Sequence, residues 1–203
     1  MQLCVGEAHR RYRIAVVTFQ PLFLLELLKS FQNLLFSLNN NPVIAIKPIQ
    51  QHQIKQAKQV IIEVCLEIWT EILTEEDLLQ QDPLSDIDDV KSHYFDNDGL
   101  FLVLLDNEQV VGTGGIRKFN QEICELKRMW FLKKYRGQGW GRQMTQILFD
   151  FAKQTGYQKI RLDFVSEELQ PQAFQFYKNL GFYPIERYIN SPCNQFMEKL
   201  LAP

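Results

Sequence analysis

Apolar residues after position 42 recur in runs whose spacing predicts an alternation of strands and helices. Strands are predicted at residues 43–49, 100–105, 110–116, 123–132, 159–165 and 195–200. Apolar side chains at intervals of three and four predict helices at residues 54–72, 142–153 and 171–180, with a shorter helix near 85–94. The second and third strands are predicted to form a hairpin around Asp106-Asn107-Glu108.

The N-terminal segment has a different pattern. Its leucines and Phe31 form one helical stripe over residues 24–38, and Asn39-Asn40-Asn41-Pro42 ends it. This helix is expected to cover a hydrophobic surface; a membrane-surface helix, a homodimer helix, a signal or an upstream segment are the alternatives. We therefore expect residues 1–43 to be an apolar extension of unknown role, followed by one domain at 44–203.

Composition excludes several protein classes. The 203 residues are 46% apolar and 23% charged, which is typical of a globular domain and not of disordered or fibrous chains. Four cysteines without a C-x-x-C pair indicate reduced thiols in a cytoplasmic protein. The three histidines lack metal-ligand spacing, and no run of 18 apolar residues exists, so we expect neither a metal site nor a transmembrane span.

Charge is distributed unevenly along the chain. The net charge of -2 argues against nucleic acid as a partner. Residues 63–108 contain fourteen acids and one Lys, whereas residues 117–142 contain eight basic and two acidic side chains. The basic stretch is therefore the place to look for an anionic ligand.

A glycine-rich run lies between the fourth predicted strand and the following helix. Residues 135–142 read Tyr-Arg-Gly-Gln-Gly-Trp-Gly-Arg. Glycines let the backbone approach a ligand, a helix N-terminus attracts anions, and the two arginines add positive charge. This combination predicts a phosphate or pyrophosphate site, with a tight packing turn as the alternative. The spacing fits neither a P-loop nor a dinucleotide fingerprint.

The strand before this run does not alternate cleanly. Two basic residues at 127–128 are followed by four apolar ones. A β-bulge would explain the slip and would leave unpaired N–H groups facing a cleft. The alternative is a fully buried central strand with a charged start.

Two motifs together resemble those of the GNAT superfamily of N-acetyltransferases. Arg-x-x-Gly-x-Gly at 136–141 is similar to the family's glycine motif, and Ala-x-x-x-Tyr-x-x-x-Gly-Phe at 173–182 resembles its second motif. Gly112-Thr-Gly-Gly115 occupies the position of the family's Val-Gly strand. The resemblance covers residues 44–203. It implies an α/β (α+β) fold with a mixed, mostly antiparallel central sheet, a bulged and splayed central strand, and flanking helices.

The resemblance also implies an activity. Family members transfer an acetyl group from acetyl-CoA to a primary amine by direct attack in a ternary complex, without a metal. The residues that would hold acetyl-CoA are Met129, Trp130, Phe131, Arg136, Gly137, Gln138, Gly139, Trp140, Gly141, Arg142, Gln170 and Lys178. At Gln170 relatives often carry Asn, so that contact departs from the family pattern. A non-catalytic acyl-CoA-binding module and a protein binding another nucleotide are the alternatives.

Two side chains have candidate catalytic roles by the same resemblance. Tyr177 corresponds to the tyrosine that protonates the leaving thiolate; otherwise it is a core aromatic residue. Glu125 is the candidate general base, direct or through water, since relatives often carry a carboxylate on this strand. Its alternative is an ion pair with Lys127 or Arg128.

The acceptor is expected to be a small-molecule or peptide amine. In this fold the early helices shape the acceptor cleft, and residues 75–98 hold nine acids and one Lys. An acidic cleft would attract a cationic amine, whereas a solvated acidic face is the alternative.

Overall fold

The strands form one seven-stranded sheet. A computed structural model of the protein describes residues 44–69 and 73–201. The strands are β1 Ile44–Pro48, β2 Leu100–Asp106, β3 Gln109–Lys118, β4 Ile123–Phe131, β5 Lys159–Phe164, β6 Tyr183–Pro184 and β7 Gln195–Leu200. Their spatial order is β1-β2-β3-β4-β5-β7-β6, and β4 with β5 is the parallel pair within it. The expected mixed, mostly antiparallel sheet is confirmed.

Six α-helices flank this sheet in the described residues. They are α1 Ile54–Ile68, α2 Glu75–Gln81, α3 Ser85–Asp88, α4 Val90–His93, α5 Trp140–Thr155 and α6 Pro171–Asn179. Short 3-10 turns occupy Gln51–Gln53, Phe95–Asn97 and Lys133–Tyr135. The predicted N-terminal helix at 24–38 and the end of the predicted helix at 70–72 lie outside the described residues.

Each face of the sheet carries its own hydrophobic core. Leu102 and Leu104 of β2 face a core that includes Met144 and Leu148 of α5. Phe101, Val103 and Leu105 of β2 face the opposite core, which α1 covers with residues such as Ile61. Because β2 is buried on both faces, its sequence is continuously apolar instead of alternating.

Strand β4 is paired on both sides only at its start. Ile123, Cys124 and Glu125 pair with β5, and the last of these contacts joins Glu125 to Arg161. Beyond that point β4 continues along β3 while β5 pairs with β7. We call this separation of β4 from β5 the fork. It gives the splayed central strand that the sequence predicted.

The predicted bulge lies immediately after the fork opens. Thr113 pairs with Trp130 and Gly115 pairs with Lys127, so Gly114 faces the two residues Arg128 and Met129. Arg128 has φ of +58°, a left-handed conformation that is rare outside glycine. We call residues 128–129 the bulge. Its position accounts for the break in alternation seen in the sequence.

Three elements differ from the sequence prediction. The short helix expected near 85–94 is two helices, because Asp89 leaves the helical region and caps α4 by accepting the Ser92 N–H. Helix α2 has no counterpart in the apolar spacing, and its start is marked by the capping box that Thr74 and Asp77 form. The two-residue strand β6 is too short for any periodic pattern.

The described residues also bear on the expectations for the cysteines, for a membrane span and for a metal site. Cys65, Cys124 and Cys193 are free thiols. Within residues 44–69 and 73–201, no helix has the length and hydrophobicity to cross a membrane. No cluster of His, Cys, Asp or Glu in those same ranges is arranged to bind a metal ion.

Candidate active site

The glycine loop, residues 137–141, connects the end of β4 to α5. Gly137 and Gly139 have φ of +72° and +87°, and Gly139 is the residue immediately before the helix. A Cβ added at either would meet no atom within 4 Å. The requirement for glycine here is therefore the backbone torsion and not a lack of space.

The start of α5 leaves backbone amides available. The first helical hydrogen bond runs from Gln143 N to Gly139 O at 3.0 Å, and no side chain caps this end. The N–H groups of residues 139–142 therefore have no helical partner. Arg142 is exposed in the same turn and forms no ion pair with a described residue. These amides and this charge make the turn electrostatically favourable for an anion.

Other side chains of this region hold the loop in place. The Arg136 guanidinium pairs with both carboxylate oxygens of Glu67 in α1 at 2.9 and 2.8 Å, and its Nε donates to Phe131 O. This pairing lowers the pKa of the Glu67 carboxyl. Gln138 Nε2 donates to Lys134 O, and Trp140 Nε1 to Gln138 Oε1. Arg136 therefore links the glycine loop to α1 through Glu67.

The second half of β4 directs backbone groups away from β3. Leu132 N donates to Val111 O of β3, so by alternation the amides of Phe131 and Met129 face the open side of the strand. Thr113 Oγ1 donates to Arg128 O at 2.7 Å. Because a trans peptide points its C=O and N–H in opposite directions, the Met129 N–H faces the fork.

The glycines of β3 make room for this part of β4. A Cβ on Gly114 would lie 2.4 Å from Met129 Sδ, and one on Gly112 would lie 2.4 Å from the Phe131 ring. Gly141 of the glycine loop in turn lies against the rings of Phe131 and Phe176. The end of β4, the glycine loop and α6 are thus in direct contact.

Tyr177 of α6 lies among aromatic rings. The centroids of Phe164, Phe176 and Phe182 are 6.1, 5.3 and 5.7 Å from its own. Its hydroxyl has no hydrogen-bond partner among the described residues. Burial raises the pKa of Tyr177, and the charge of Asp163 adds to the effect. Tyr177 is therefore a protonated donor at neutral pH, as a general acid must be.

Two further predicted cofactor residues lie at opposite ends of α6. Gln170 precedes the helix, and its Oε1 accepts the Val165 N–H at 3.1 Å, which leaves its amide N–H₂ as the available donor. Lys178 is exposed, with its ammonium 5.6 Å from the Phe174 ring centroid.

Glu125 lies at the start of the fork and is only 2% exposed. Its Oε2 accepts from Arg117 Nη2 at 2.8 Å and its Oε1 from the Tyr188 hydroxyl at 3.0 Å, while Lys127 Nζ is 4.0 Å away. The closest charged partner is Arg117, which the sequence did not single out. The β3–β4 register pairs Arg117 with Glu125, and this register is a property of the fold that no local sequence signal reveals.

Glu125 belongs to a network that we call the ionic face, formed by side chains of β4, β5, β7 and the β6–β7 loop. Lys127 bridges the fork to Asp163 at 2.7 Å, and Ser191 donates to the same carboxylate at 2.6 Å. Arg161 pairs with Glu198 at 2.8 Å. Burial alone would raise the pKa of Asp163, but Lys127 and the hydrogen bonds outweigh it and lower that pKa.

The acidic stretch at 75–98 divides into groups with different surroundings. Asp82 and Asp86 bind Arg128 of the bulge. Lys58, Lys91 and Lys118 pair with Asp88, Asp96 and Asp98, respectively. Glu75 and Glu76, together with Leu79 and Gln80, line an open surface hollow. Most of these acids therefore serve contacts inside the protein.

Known proteins resemble this chain in both sequence and fold. Residues 63–182 match the model of the acetyltransferase (GNAT) family. An uncharacterized N-acetyltransferase, YjgM of Escherichia coli, is 31% identical over 81 residues, 38% of this chain and 47% of that protein. The chain spans about half the length of the curated relatives it matches.

Solved structures share the fold. A GNAT-family acetyltransferase from Staphylococcus aureus superposes with a TM-score of 0.68 at 21% identity, covering 79% of this chain and all of that one. PaiA N-acetyltransferase from Thermoplasma acidophilum, solved with coenzyme A, gives 0.63 at 19% identity over 77% of this chain and 98% of its own. With the family model matched over more than half of its length, this chain belongs to the acetyltransferase (GNAT) family.

Proposed function

We propose that the protein is an N-acetyltransferase that moves the acetyl group of acetyl-CoA to a primary amine by direct attack in a ternary complex. The observation that carries this proposal is the fork. Strand β4 directs the amides of Met129 and Phe131 to its open side, and Phe131 contacts the glycine loop, where the amides of residues 139–142 are uncapped. An extended thioester with a pyrophosphate at one end suits this sequence of donors.

Acetyl-CoA is proposed to bind along the amides of the end of β4 and of the glycine loop. The pyrophosphate is proposed to lie on residues 137–142, with Arg142 adding charge. The pantetheine arm is proposed to pair with residues 129–131 as an additional strand would. Gln170 offers its free amide N–H₂ from the α6 side of the fork. The Thermoplasma relative that was solved with coenzyme A supports the choice of cofactor.

The reaction then needs three groups of this chain. The amine nitrogen attacks the thioester carbonyl carbon, and the Met129 N–H donates to the oxygen as negative charge develops there. The carbon–sulfur bond breaks, and Tyr177 gives its proton to the leaving thiolate. The amine attacks in its neutral form, after a cationic acceptor has released one proton to solvent, and its nitrogen loses one further proton to the base as the amide forms. Holding amine and thioester together supplies the remaining acceleration.

Glu125 is the proposed base, and its surroundings define how it would act. Both carboxylate oxygens are engaged, by Arg117 and by the Tyr188 hydroxyl, and the side chain is buried. A proton therefore reaches it through Tyr188 or a water molecule, and not from the amine directly. Transfer through Tyr188 moves its hydroxyl proton to Oε1 while the phenol oxygen accepts the amine proton.

The acceptor is proposed to be a small-molecule or peptide amine. Glu75 and Glu76 are the acids of the 75–98 stretch that line an open hollow, and they would favour a cationic amine there. The paired acids of the same stretch contribute less to such attraction, since three of them have a lysine each and the other two share Arg128.

Thiol release from acetyl-CoA with a panel of amines tests the proposal, with coenzyme A binding measured separately by calorimetry. We expect binding and amine-dependent release of one thiol per acetylated amine. Binding without release on any amine would favour the acyl-CoA-binding module. An absence of coenzyme A binding would contradict both.

A further inference from the structure

Arg128 of the bulge has an extensive set of side-chain partners. Its Nε and Nη2 donate to the two oxygens of Asp86 at 3.0 and 2.7 Å. Its Nη1 and Nη2 donate to the two oxygens of Asp82 at 2.5 and 2.9 Å. Two bidentate pairs fix both the position and the plane of the guanidinium. We call this group of three residues the bulge clamp.

The bulge clamp is anchored in the core that α1 covers. Asp86 is buried, and it also accepts a hydrogen bond from the Tyr94 hydroxyl at 2.8 Å. Tyr94 is fully buried and packs edge-on against Phe101 of β2 at 5.0 Å. Burial alone would raise the pKa of Asp86, but Arg128 and Tyr94 lower it, so the carboxylate stays charged.

The backbone of Arg128 is held from the opposite direction. Its carbonyl accepts the Thr113 hydroxyl, and its φ of +58° is unfavourable for any residue with a Cβ. Glycine would adopt this torsion without strain, so the bulge by itself does not require an arginine. The side chain must contribute something that the torsion alone does not.

We propose that Arg128 is a positioning residue for acetyl transfer: its clamp to Asp82 and Asp86 and the Thr113 hydrogen bond fix the 128–129 peptide, so that the Met129 N–H points at the oxygen that becomes negative. The inference rests on the proposed function. It also explains why two acids of the 75–98 stretch face inward, since they serve as the counter-ions of Arg128.

Two variants test this role. Arg128→Lys keeps the charge and loses the bidentate geometry. Arg128→Gly relieves the torsion and removes the side chain. A donor used mainly in the transition state affects kcat and not ground-state binding. We therefore expect kcat to fall at least about tenfold in both, with coenzyme A affinity within about threefold of wild type.

A matched control separates positioning from stability. Lys58→Met removes another ion pair to α3, through Asp88, and leaves all three residues of the bulge clamp in place. We expect its kcat to equal that of wild type when both are assayed well below their melting temperatures. Wild-type kcat in folded Arg128→Gly, or an equal loss of kcat in Lys58→Met, would overturn the proposal.

A second readout does not depend on turnover. In ¹⁵N-labelled protein, the Met129 amide should give one sharp resonance in wild type and in Lys58→Met. It should shift or broaden in Arg128→Lys, because the peptide is no longer fixed. An unchanged Met129 resonance would refute the positioning role. If wild type acetylates no amine, the proposed function fails, and this resonance still decides whether Arg128 fixes the peptide.

Discussion

Two regions that border the fork differ in the groups they present: backbone amides in one and charged side chains in the other. In the first, the glycine loop and the end of β4 present backbone amides, all within residues 129–142, a single continuous segment. The ionic face, which spans the fork from β4 to β7, consists of side-chain pairs between distant parts of the chain. Lys127 and Asp163 are 36 residues apart, and Glu125 and Tyr188 are 63 apart.

This difference determines what each side tolerates. A site made of amides depends on torsion and on the sign of nearby charge, and most side chains that respect both can be exchanged. A site made of buried ion pairs depends on each partner, because removal of one leaves an uncompensated charge. Substitutions on the two sides should therefore fail in different ways.

Gly139→Glu is expected to have the largest effect on the amide side. The Cβ has space, but the torsion is unfavourable and the carboxylate enters the proposed phosphate site. Like charges in contact cost several kcal/mol, so the Kd for coenzyme A should rise at least about 100-fold. Isothermal titration calorimetry measures it.

Gly156→Glu is the matched control for that substitution. Gly156 has φ of +95° and equally open surroundings, but it lies at the C-terminal end of α5. The torsional strain is comparable and the ligand is remote, so coenzyme A affinity should stay within about threefold of wild type, since affinity differences of that size are under 1 kcal/mol. An unchanged Kd in Gly139→Glu would refute the phosphate assignment.

Tyr177→Phe tests the proposed general acid. Removing a general acid should lower kcat by at least about tenfold with little change in coenzyme A affinity. Because burial raises the pKa of Tyr177, the acid stays protonated. The ratio of wild-type to variant kcat should therefore remain constant from neutral pH to about pH 10, the ordinary tyrosine pKa.

Tyr157→Phe serves as the comparison, since that phenol lies in the same core and donates to the Asp98 carbonyl. Stopped-flow measurement of thiol release should show normal kcat in it. Wild-type turnover in Tyr177→Phe would mean that Tyr177 is only a core aromatic residue.

The amide side could be read from the sequence because its signals are local. Glycines within eight residues of one another, an arginine, and the start of an apolar helical stripe all occur in one stretch. The bulge was equally accessible, since an extra residue breaks the two-residue period of a strand wherever it occurs. The fold expected from these motifs is confirmed.

The ionic face and the bulge clamp could not be read in this way. Both partners of each pair are ordinary charged residues, and the pairing depends on strand register and on helix placement. Arg128 lies 46 residues from Asp82, and the bulge turns its side chain toward α2 and α3. By composition alone, the acids of residues 75–98 predicted a cleft for a cationic amine. In the structure, Asp82 and Asp86 instead pair with Arg128.

Glu125→Gln sharpens the comparison on the ionic face. If Glu125 accepts the amine proton, kcat/KM should fall about tenfold or more, with coenzyme A affinity unchanged. Glu198→Gln is the matched control, since Glu198 is also buried and holds an arginine, Arg161, and a phenol, Tyr183. Equal kcat/KM values for the two variants would make Glu125 an ion-pair partner only.

Lys127→Met should give the smallest effect, one on stability. Lys127 and Lys118 lie on adjacent strands and are each 20% exposed, but the carboxylate of Asp163 is 7% exposed and that of Asp98 is 59%. Loss of Lys127 removes one hydrogen-bond partner of a buried carboxylate and should lower the free energy of unfolding by about 1–3 kcal/mol at neutral pH. Lys118→Met breaks a surface pair and should cost less than about 1 kcal/mol.

The pH dependence of that difference follows from Asp163. Lys127 lowers the pKa of this carboxyl, so its stabilising contribution is complete above the ordinary Asp value and is lost as the pH falls through the lowered one. In Lys127→Met the pKa of Asp163 rises, because burial remains and the cation is gone. The difference in urea-unfolding free energy between wild type and variant should therefore narrow as the pH falls from the raised pKa of Asp163 in the variant to its lowered pKa in wild type. A difference that is constant with pH would show that the charge of Lys127 does not act on the Asp163 carboxylate.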